Sequence, residues 1–256
     1  MPNTEPRKIG SAQRVFDILE TIRKNDGATV STVAEEIDAA VSTAHQYLQT
    51  IEGEGFIVRE NGKYYISLQF LDYGAHARTL QPGYRLAEEK VQEIAAQTGE
   101  RAQFVVLQNG LAVVLCTEAE ERAVKTGVRL GMHVPLHATA AGKAILAHLS
   151  EETIFDIIEE HGLVKLTDHT ITDRDELMEE LEAVRADKVA YNDQEQMNRL
   201  RAVGVPVRDP DDKVLGALSV SAPSNRFRGE TFTNEIPNLL LGTANELELN
   251  LEYDDR

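Results

Sequence analysis

The stretch "FIVRENGKYYISL", residues 56–68, constrains the fold more than any other part of the chain. Two short runs with alternating apolar residues flank Asn61-Gly62, a strong hairpin signal because both central positions of the tight turn need positive φ. Three helical segments lead up to it. In "SAQRVFDILETIRKN", Ser11 stands where an N-cap belongs, Val15, Ile18, Leu19 and Ile22 recur at helical spacing, and Asn25-Asp26-Gly27 ends the run. A second helix is expected over 31–37, with Val33 and Ile37 on one face. In the third, "VSTAHQYLQTIEGEG", Ala44, Tyr47, Leu48 and Ile51 form the buried stripe and Gly53 and Gly55 close the helix.

Three short helices and a hairpin in this order make a winged helix-turn-helix, whose third helix enters the DNA major groove while the hairpin lies against the backbone or minor groove. The polar face of the third helix then carries Ser42, Thr43, Gln46 and Gln49, with His45 close by. Gln can pair bidentately with adenine, and Ser or Thr can serve several bases. Arg59 and Lys63 on the hairpin are placed for phosphate contact. A helical interaction module with a merely solvated polar face has the same order of elements.

Composition both supports and opposes a nucleic-acid partner. The 256 residues suffice for one large domain or two modest ones, and at 42% hydrophobic they can fill real cores. No apolar run reaches the roughly 20 residues needed to span a bilayer, and "MPNTEPRKIG" lacks a secretory signal, so the chain reads as cytoplasmic with no membrane partner. The single cysteine, Cys116, excludes an internal disulfide or a cysteine zinc site and reads as a buried, inert thiol. The net charge is −17, with 26 Lys and Arg against 43 Asp and Glu spread along the whole length. Such a surface stays soluble in concentrated salt and suggests a halophile, but it repels DNA.

From Leu68 to about Gly99 two helical runs are separated by Gln81-Pro82-Gly83, suiting a helical linker that also pairs with a second copy. Beyond it, "AQFVVLQNGLAVVLCTE" is another Asn-Gly hairpin. "KVAYND", "RAVGVPVRD" and "KVLGALSVSAP" read as strands, and helices are expected at 140–149, 151–161, 173–186 and about 230–252. This succession gives an α+β class: an antiparallel sheet covered by helices, of a ligand-binding type.

The segment "PLHATAAGKAILAH" (135–148) superficially offers a phosphate-binding Gly-Lys. A nucleotide-binding P-loop needs a glycine five positions earlier and a hydroxyl after the lysine; here those positions hold His137 and Ala144. What remains is a helix start whose first amides lack internal partners, with alanines small enough to admit an anion. Close helix–sheet packing explains the alanines equally well. His133 and His137 are four apart, but Pro135 between them prevents one helix from presenting both to a metal. Ser219 and Ser221 share one face of their strand and either line a pocket or meet water. No local catalytic signature of the Ser-His-Asp or Cys-His kind is present, and no cofactor is expected.

With these residues in view, the chain resembles the IclR family of transcriptional regulators along nearly its full length. The resemblance rests on "SAQRVFDILETI", "STAHQYLQTIEGEGF" before the wing, "PLHATAAGKAILA" and "GALSVSAPSNR", in that order. It implies a winged helix-turn-helix over 1–72, a helical linker over 73–99 and a GAF-like effector-binding domain over 100–256. It further implies a homodimer or homotetramer on a palindromic double-stranded DNA operator of catabolic genes, controlled by a small effector, a metabolite acid or sugar derivative. The family's effector pocket falls on the amides of Ala140 and Ala141, on Asn192 or Asp193, since the segment aligns either way, and on Ser219 and Ser221. Ala202 stands where some relatives have a cysteine, and Val41 and Gln46 stand where relatives often have basic residues. Residues 1–72 hold seven Lys and Arg against eleven Asp and Glu, so the DNA-binding part is itself acidic. The alternative of another class is a small-molecule enzyme domain fused to a degenerate helix-turn-helix.

Overall fold

The computed structural model describes residues 9–124 and 126–254, so the outermost ends of the expected domains, 1–8 and 255–256, lie outside the described residues. The chain divides into two compact units, Met1–Ala77 and Arg78–Arg256.

The first unit is the winged helix-turn-helix. Helix α1 (Gly10–Lys24), α2 (Val30–Glu36) and α3 (Val41–Gly53) precede strands β1 (Ile57–Glu60) and β2 (Lys63–Ile66). Ile18, Ile22, Val33, Ala44, Leu48, Ile51 and Ile57 close one apolar core around the fully buried Tyr64. Asn61 and Gly62 have φ of 49° and 81°, the paired positive values that a tight hairpin turn demands. An isolated bridge ties the wing to the helices: Ala28 N donates to Tyr64 O (3.0 Å) and Tyr64 N to Ala28 O (2.8 Å). Two local expectations are corrected. Ser11 lies inside α1, whose N-cap is Ile9 with no side-chain bond. The cap of α2 is Thr29, whose hydroxyl accepts from Thr32 N at 3.2 Å, so that helix starts one residue early.

The 73–99 segment divides in two. Helix α4 (Gln69–Thr79) buries none of its residues. Helix α5 (Pro82–Thr98), by contrast, buries Ala87, Val91, Ile94 and Ala95 in the core of the second unit. That core is built on a six-stranded antiparallel sheet in the order β5-β4-β3-β8-β7-β6. Its strands are β3 (Arg101–Gln108), β4 (Leu111–Ala119), β5 (His133–Val134), β6 (Ala190–Asp193), β7 (Leu200–Arg208) and β8 (Val214–Pro223). One face packs on α5 and α9 (Ile236–Asp254), the other on α6 (Ala140–Leu146), α7 (Glu151–His161) and α8 (Arg174–Asp187). The two-residue strand β5 was not expected, because two residues show no alternation. Arg226, in the "APSNR" run after the central strand β8, donates to both carboxylate oxygens of buried Glu100, just before β3 (2.6 and 2.8 Å).

Candidate functional site

On α3, Ser42, Gln46 and Gln49 are exposed, while Thr43 and His45 are half-buried. The spacing 42, 46, 49 puts the three exposed groups on one helix face, opposite Ala44, Leu48 and Ile51 in the core. Arg59 and Lys63 are exposed on the wing; the Arg59 guanidinium sits 5.5 Å from the Tyr64 ring centre, and Lys63 stands opposite Glu60 in the strand register. On α1, Glu20 takes up both Arg23 (2.6 Å) and Lys24 (3.6 Å). Among the described residues of this unit, Arg14, Arg59 and Lys63 remain exposed for phosphates.

In the second unit the expected effector residues converge. The strand register aligns Arg101 (β3), Ser221 (β8), Ala202 (β7) and Asn192 (β6) in one row across the sheet. The next row on the same face holds Gln103, Ser219 and Gly204. The start of α6 sits over Gly204: a Cβ there would lie 2.6 Å from the carbonyl carbon of Ala140. Only glycine admits the helix this close. Thr139 caps α6 by accepting from Gly142 N (3.1 Å), and its carbonyl accepts from Lys143 N (2.9 Å). The amides of Ala140 and Ala141 are the two left without a partner inside the helix.

Between these elements lies a small cavity of about 10 Å³, bounded by Ala140, Ala141, Asn192, Ser219 and Ser221 among others. Asn192 and Ser219 are each 1% exposed, and Asn192 Nδ2, Ser219 Oγ and Gln103 Oε1 are buried with no hydrogen-bond partner. Buried polar groups without partners are rare and costly, so three around one cavity mark a place for a polar guest, a water or a ligand group. Asp193 is not among the lining residues. It is exposed and bidentate to Arg201 (2.7 and 2.8 Å), because neighbouring residues of a strand face opposite ways. The Arg201 guanidinium holds its carboxyl below the usual carboxylate range.

Residue-by-residue reading did not pick out Arg101, Gln103, Thr126 and Gln196, which complete the lining. The available signal was the pair of polar residues at alternate positions in the otherwise apolar strand "RAQFVVLQ". A larger cavity, about 250 Å³, lies between the β4–β5 edge and α7 but is lined chiefly by apolar side chains and holds none of the expected effector residues. His137 borders it; its ring meets Val164 O at 3.1 Å, and burial pulls its pKa down. Among the described residues no cluster of His, Cys, Asp or Glu could hold a metal ion. Burial pushes the Cys116 thiol up to about 12, so it is inert. No helix among the described residues is long and apolar enough to cross a membrane.

The Gly-Lys pair has a structural explanation. A Cβ on Gly142 would lie 2.2 Å from the carbonyl oxygen of Leu136, so the glycine lets α6 pack against its own approach segment. Lys143 is buried and faces Glu180 and Glu195.

Comparison with known proteins supports the same reading. The family described as "Bacterial transcriptional regulator IclR C-terminal" matches residues 84–249, and "IclR helix-turn-helix domain" matches 11–61. The chain is 33% identical to the "Probable HTH-type transcriptional regulator ArcR" of Halobacterium salinarum, over 98% of this chain and 97% of that protein. It is 29% identical to the "p-hydroxybenzoate hydroxylase transcriptional activator" of Acinetobacter baylyi, over 85% of this chain and 82% of that one. The Thermotoga maritima IclR crystal structure superposes with a TM-score of 0.79 at 28% identity, covering 95% of this chain and 99% of that one. Similarity to a Halobacterium protein supports the halophilic origin expected from the acidic composition. These relatives are regulators rather than enzymes, which sets aside the fused-enzyme alternative. The chain belongs to the IclR family of transcriptional regulators and is a DNA-binding regulator with a C-terminal effector-domain fold.

Proposed function

We propose that this regulator binds a palindromic operator of catabolic genes as a homodimer or homotetramer and that a small acid in the cavity beneath α6 controls its affinity. The observation that carries the effector site is the convergence of unpartnered Asn192 Nδ2, Ser219 Oγ and Gln103 Oε1 on one buried space. The site residues are then the amides of Ala140 and Ala141, Asn192, Ser219 and Ser221. A relative named for activating p-hydroxybenzoate hydroxylase transcription supports catabolic genes as targets. For DNA the residues are Ser42, Thr43, His45, Gln46 and Gln49 on α3, with Arg59 and Lys63 on the wing. Self-association is supported by α4, where Leu71 (68% exposed) and Tyr73 (56%) leave apolar surface uncovered. A two-fold dimer would present two copies of α3 to half-sites spaced by whole turns of DNA.

The coupling route is short. Along β8, Ser219 and Ser221 face the cavity, while Leu218, Val220 and Ala222 pack in the core that holds α5. On β3, Gln103 and Phe104 divide in the same way. A ligand that favours one setting of these two strands therefore biases α5, whose chain runs back to α4 and the DNA-binding unit. The effector acts only to the extent that it binds the two settings unequally. Mapping of genomic sites bound by the full-length chain, followed by binding to those sites with and without organic acids, tests this reading. Operator affinity that no acid changes would leave the effector claim without support.

A further inference from the structure

The apolar cavity beside α7 is a hole rather than a face. Its floor is formed by the buried Ala112, Leu146 and Leu177, and its mouth by the exposed His133 and Val164. An apolar protein cavity of about 150 Å³ is enough to take up benzene, and this one measures about 250 Å³. A single aromatic ring with a small substituent fits it.

The walls select by charge. Although 27% of the chain is charged, no Asp, Glu, Lys or Arg lines the space, and its only polar side chains are the imidazoles of His133, His137 and His161. A carboxylate or ammonium brought here would lose its water and meet no fixed counter-charge in the lining. Val164 O can only accept, so His137 Nε2 carries the proton and donates to it at 3.1 Å. Burial pulls the His137 pKa down, so the ring is uncharged at neutral pH and its Nδ1 is left as an acceptor. His161 Nε2 is buried with no hydrogen-bond partner, over Gly110, where a Cβ would lie 3.0 Å from it. The carboxylate of exposed Glu160 stands 3.9 Å from the same nitrogen, beyond bonding distance. These rings suit a guest with a hydroxyl.

The cavity also abuts both ends of α6. Leu146, in its floor, is the last residue of that helix. Pro135 and Leu136, in its wall, come just before the helix: Pro135 O accepts from the capping hydroxyl of Thr139 at 2.6 Å, and Leu136 is the backbone on which Gly142 is seated. A ring in the cavity therefore bears on the helix whose start borders Asn192 and Ser219.

We infer that the second unit carries a further ligand site, between the β4–β5 edge and α7, for a neutral phenolic molecule of one ring, and that filling it changes the response to an acid beneath α6. The first half stands on this cavity alone. The second rests on the reading of the space beneath α6 as the effector site.

Ligand-observed NMR titration of the full-length chain with phenol and with benzoate tests the first half. Phenol is expected to bind. Leu163→Trp, which fills the space from the loop after α7, and Ile158→Gln, which makes another wall polar, should each weaken phenol about tenfold or more and leave benzoate within about twofold. Thermal unfolding identifies which variants keep the wild-type fold, and either one suffices. Absence of phenol binding overturns the inference, as does phenol affinity unchanged in a folded variant. Benzoate that displaces phenol one for one also overturns it, because the walls would then accept a charge. A change of oligomeric state in Leu163→Trp without phenol binding would make the cavity a seat for a second copy, which overturns it too. For the second half, affinity for a mapped genomic site is titrated with D-gluconate and benzoate, with and without saturating phenol. The acid concentration for half the response should move by at least about twofold; an unmoved half-response overturns that half. Operator affinity that no organic acid changes fails the second half together with the effector reading, and the phenol titration still decides the first.

Discussion

Lys143 Nζ lies 2.9 Å from Glu195 Oε1 and 2.7 Å from Glu180 Oε1, and both Lys143 and Glu195 are buried. The backbone N–H of Glu195 donates to Asn192 Oδ1 at 2.9 Å, so the asparagine amide presents its NH2 to the cavity. Helix α6 thus borders the cavity at its start and, at Lys143, holds the opposite wall through an ion pair. The carbonyl of Glu195 is held in turn by the hydroxyls of Thr167 (3.2 Å) and Thr170 (2.7 Å).

Replacing Lys143 by Met strands a buried carboxylate and should destabilise the second unit by about 3–5 kcal/mol at neutral pH. The pH dependence has a defined sign. Burial already raises the Glu195 carboxyl above its ordinary value against the pull of Lys143. Without the lysine the folded-state pKa rises further, so native Glu195 binds more protons than the unfolded chain over a wider range. Stability of K143M should therefore fall as pH rises from the ordinary carboxylate range through that raised pKa, and its deficit against wild type should shrink in acid. Thermal unfolding at several pH values checks this; a deficit independent of pH contradicts it.

Ser219→Ala removes a hydroxyl that has no partner in the ligand-free protein. Folding stability should change by less than about 0.5 kcal/mol, while effector affinity falls about five- to tenfold, the value of one hydrogen bond. Unfolding curves and ligand titration on the same preparation separate the two effects. A large stability loss with unaltered affinity would show the serine to be structural.

Gly204→Ala places a methyl against the Ala140 carbonyl and must push α6 off β7. A cost of about 1–3 kcal/mol is expected, typical of overpacking, together with loss of the effector response at temperatures where the variant is folded. An operator response equal to that of wild type would mean that the seat of α6 does not matter to the ligand.

The acidic DNA-binding unit leads to a prediction about salt. Each neutralised phosphate contributes about −0.9 to the slope of log affinity against log salt. With Arg23 and Lys24 engaged by Glu20 and Arg14, Arg59 and Lys63 the other exposed cations among the described residues of this unit, the slope should correspond to fewer than about six phosphates. Gln46→Ala and Gln49→Ala should lower discrimination between operator and random DNA, by about 1–3 kcal/mol where the contact is bidentate, and leave the salt slope unchanged. A slope of six phosphates or more contradicts this account.

How much of this was readable in the chain depends on the range of the interactions. The three helices and the wing follow from local signals: the stripe at Ala44, Leu48 and Ile51, and the turn at Asn61-Gly62. Ser11 misled because a serine near a helix start is a cap only when the backbone leaves the helix there, and α1 begins one residue before it, at Gly10. The ambiguity between Asn192 and Asp193 ends once the register is known, since strand alternation sends one inward and the other to Arg201. The roles of Gly142 and Lys143 could not be read locally. They depend on Leu136, Glu180 and Glu195, brought near by the fold rather than by spacing. Arg101 escaped notice for the same reason: its place on the cavity comes from Ser221 opposite it on β8.

The most direct test of the account is the affinity of the full-length chain for a mapped genomic site, measured as an organic acid is added, in wild type and in Ser219→Ala. The account predicts that the acid shifts wild-type affinity by about five- to 150-fold, the usual range of allosteric coupling, and that Ser219→Ala needs a higher acid concentration to reach the same shift. An equal shift at equal concentration in both proteins would contradict it.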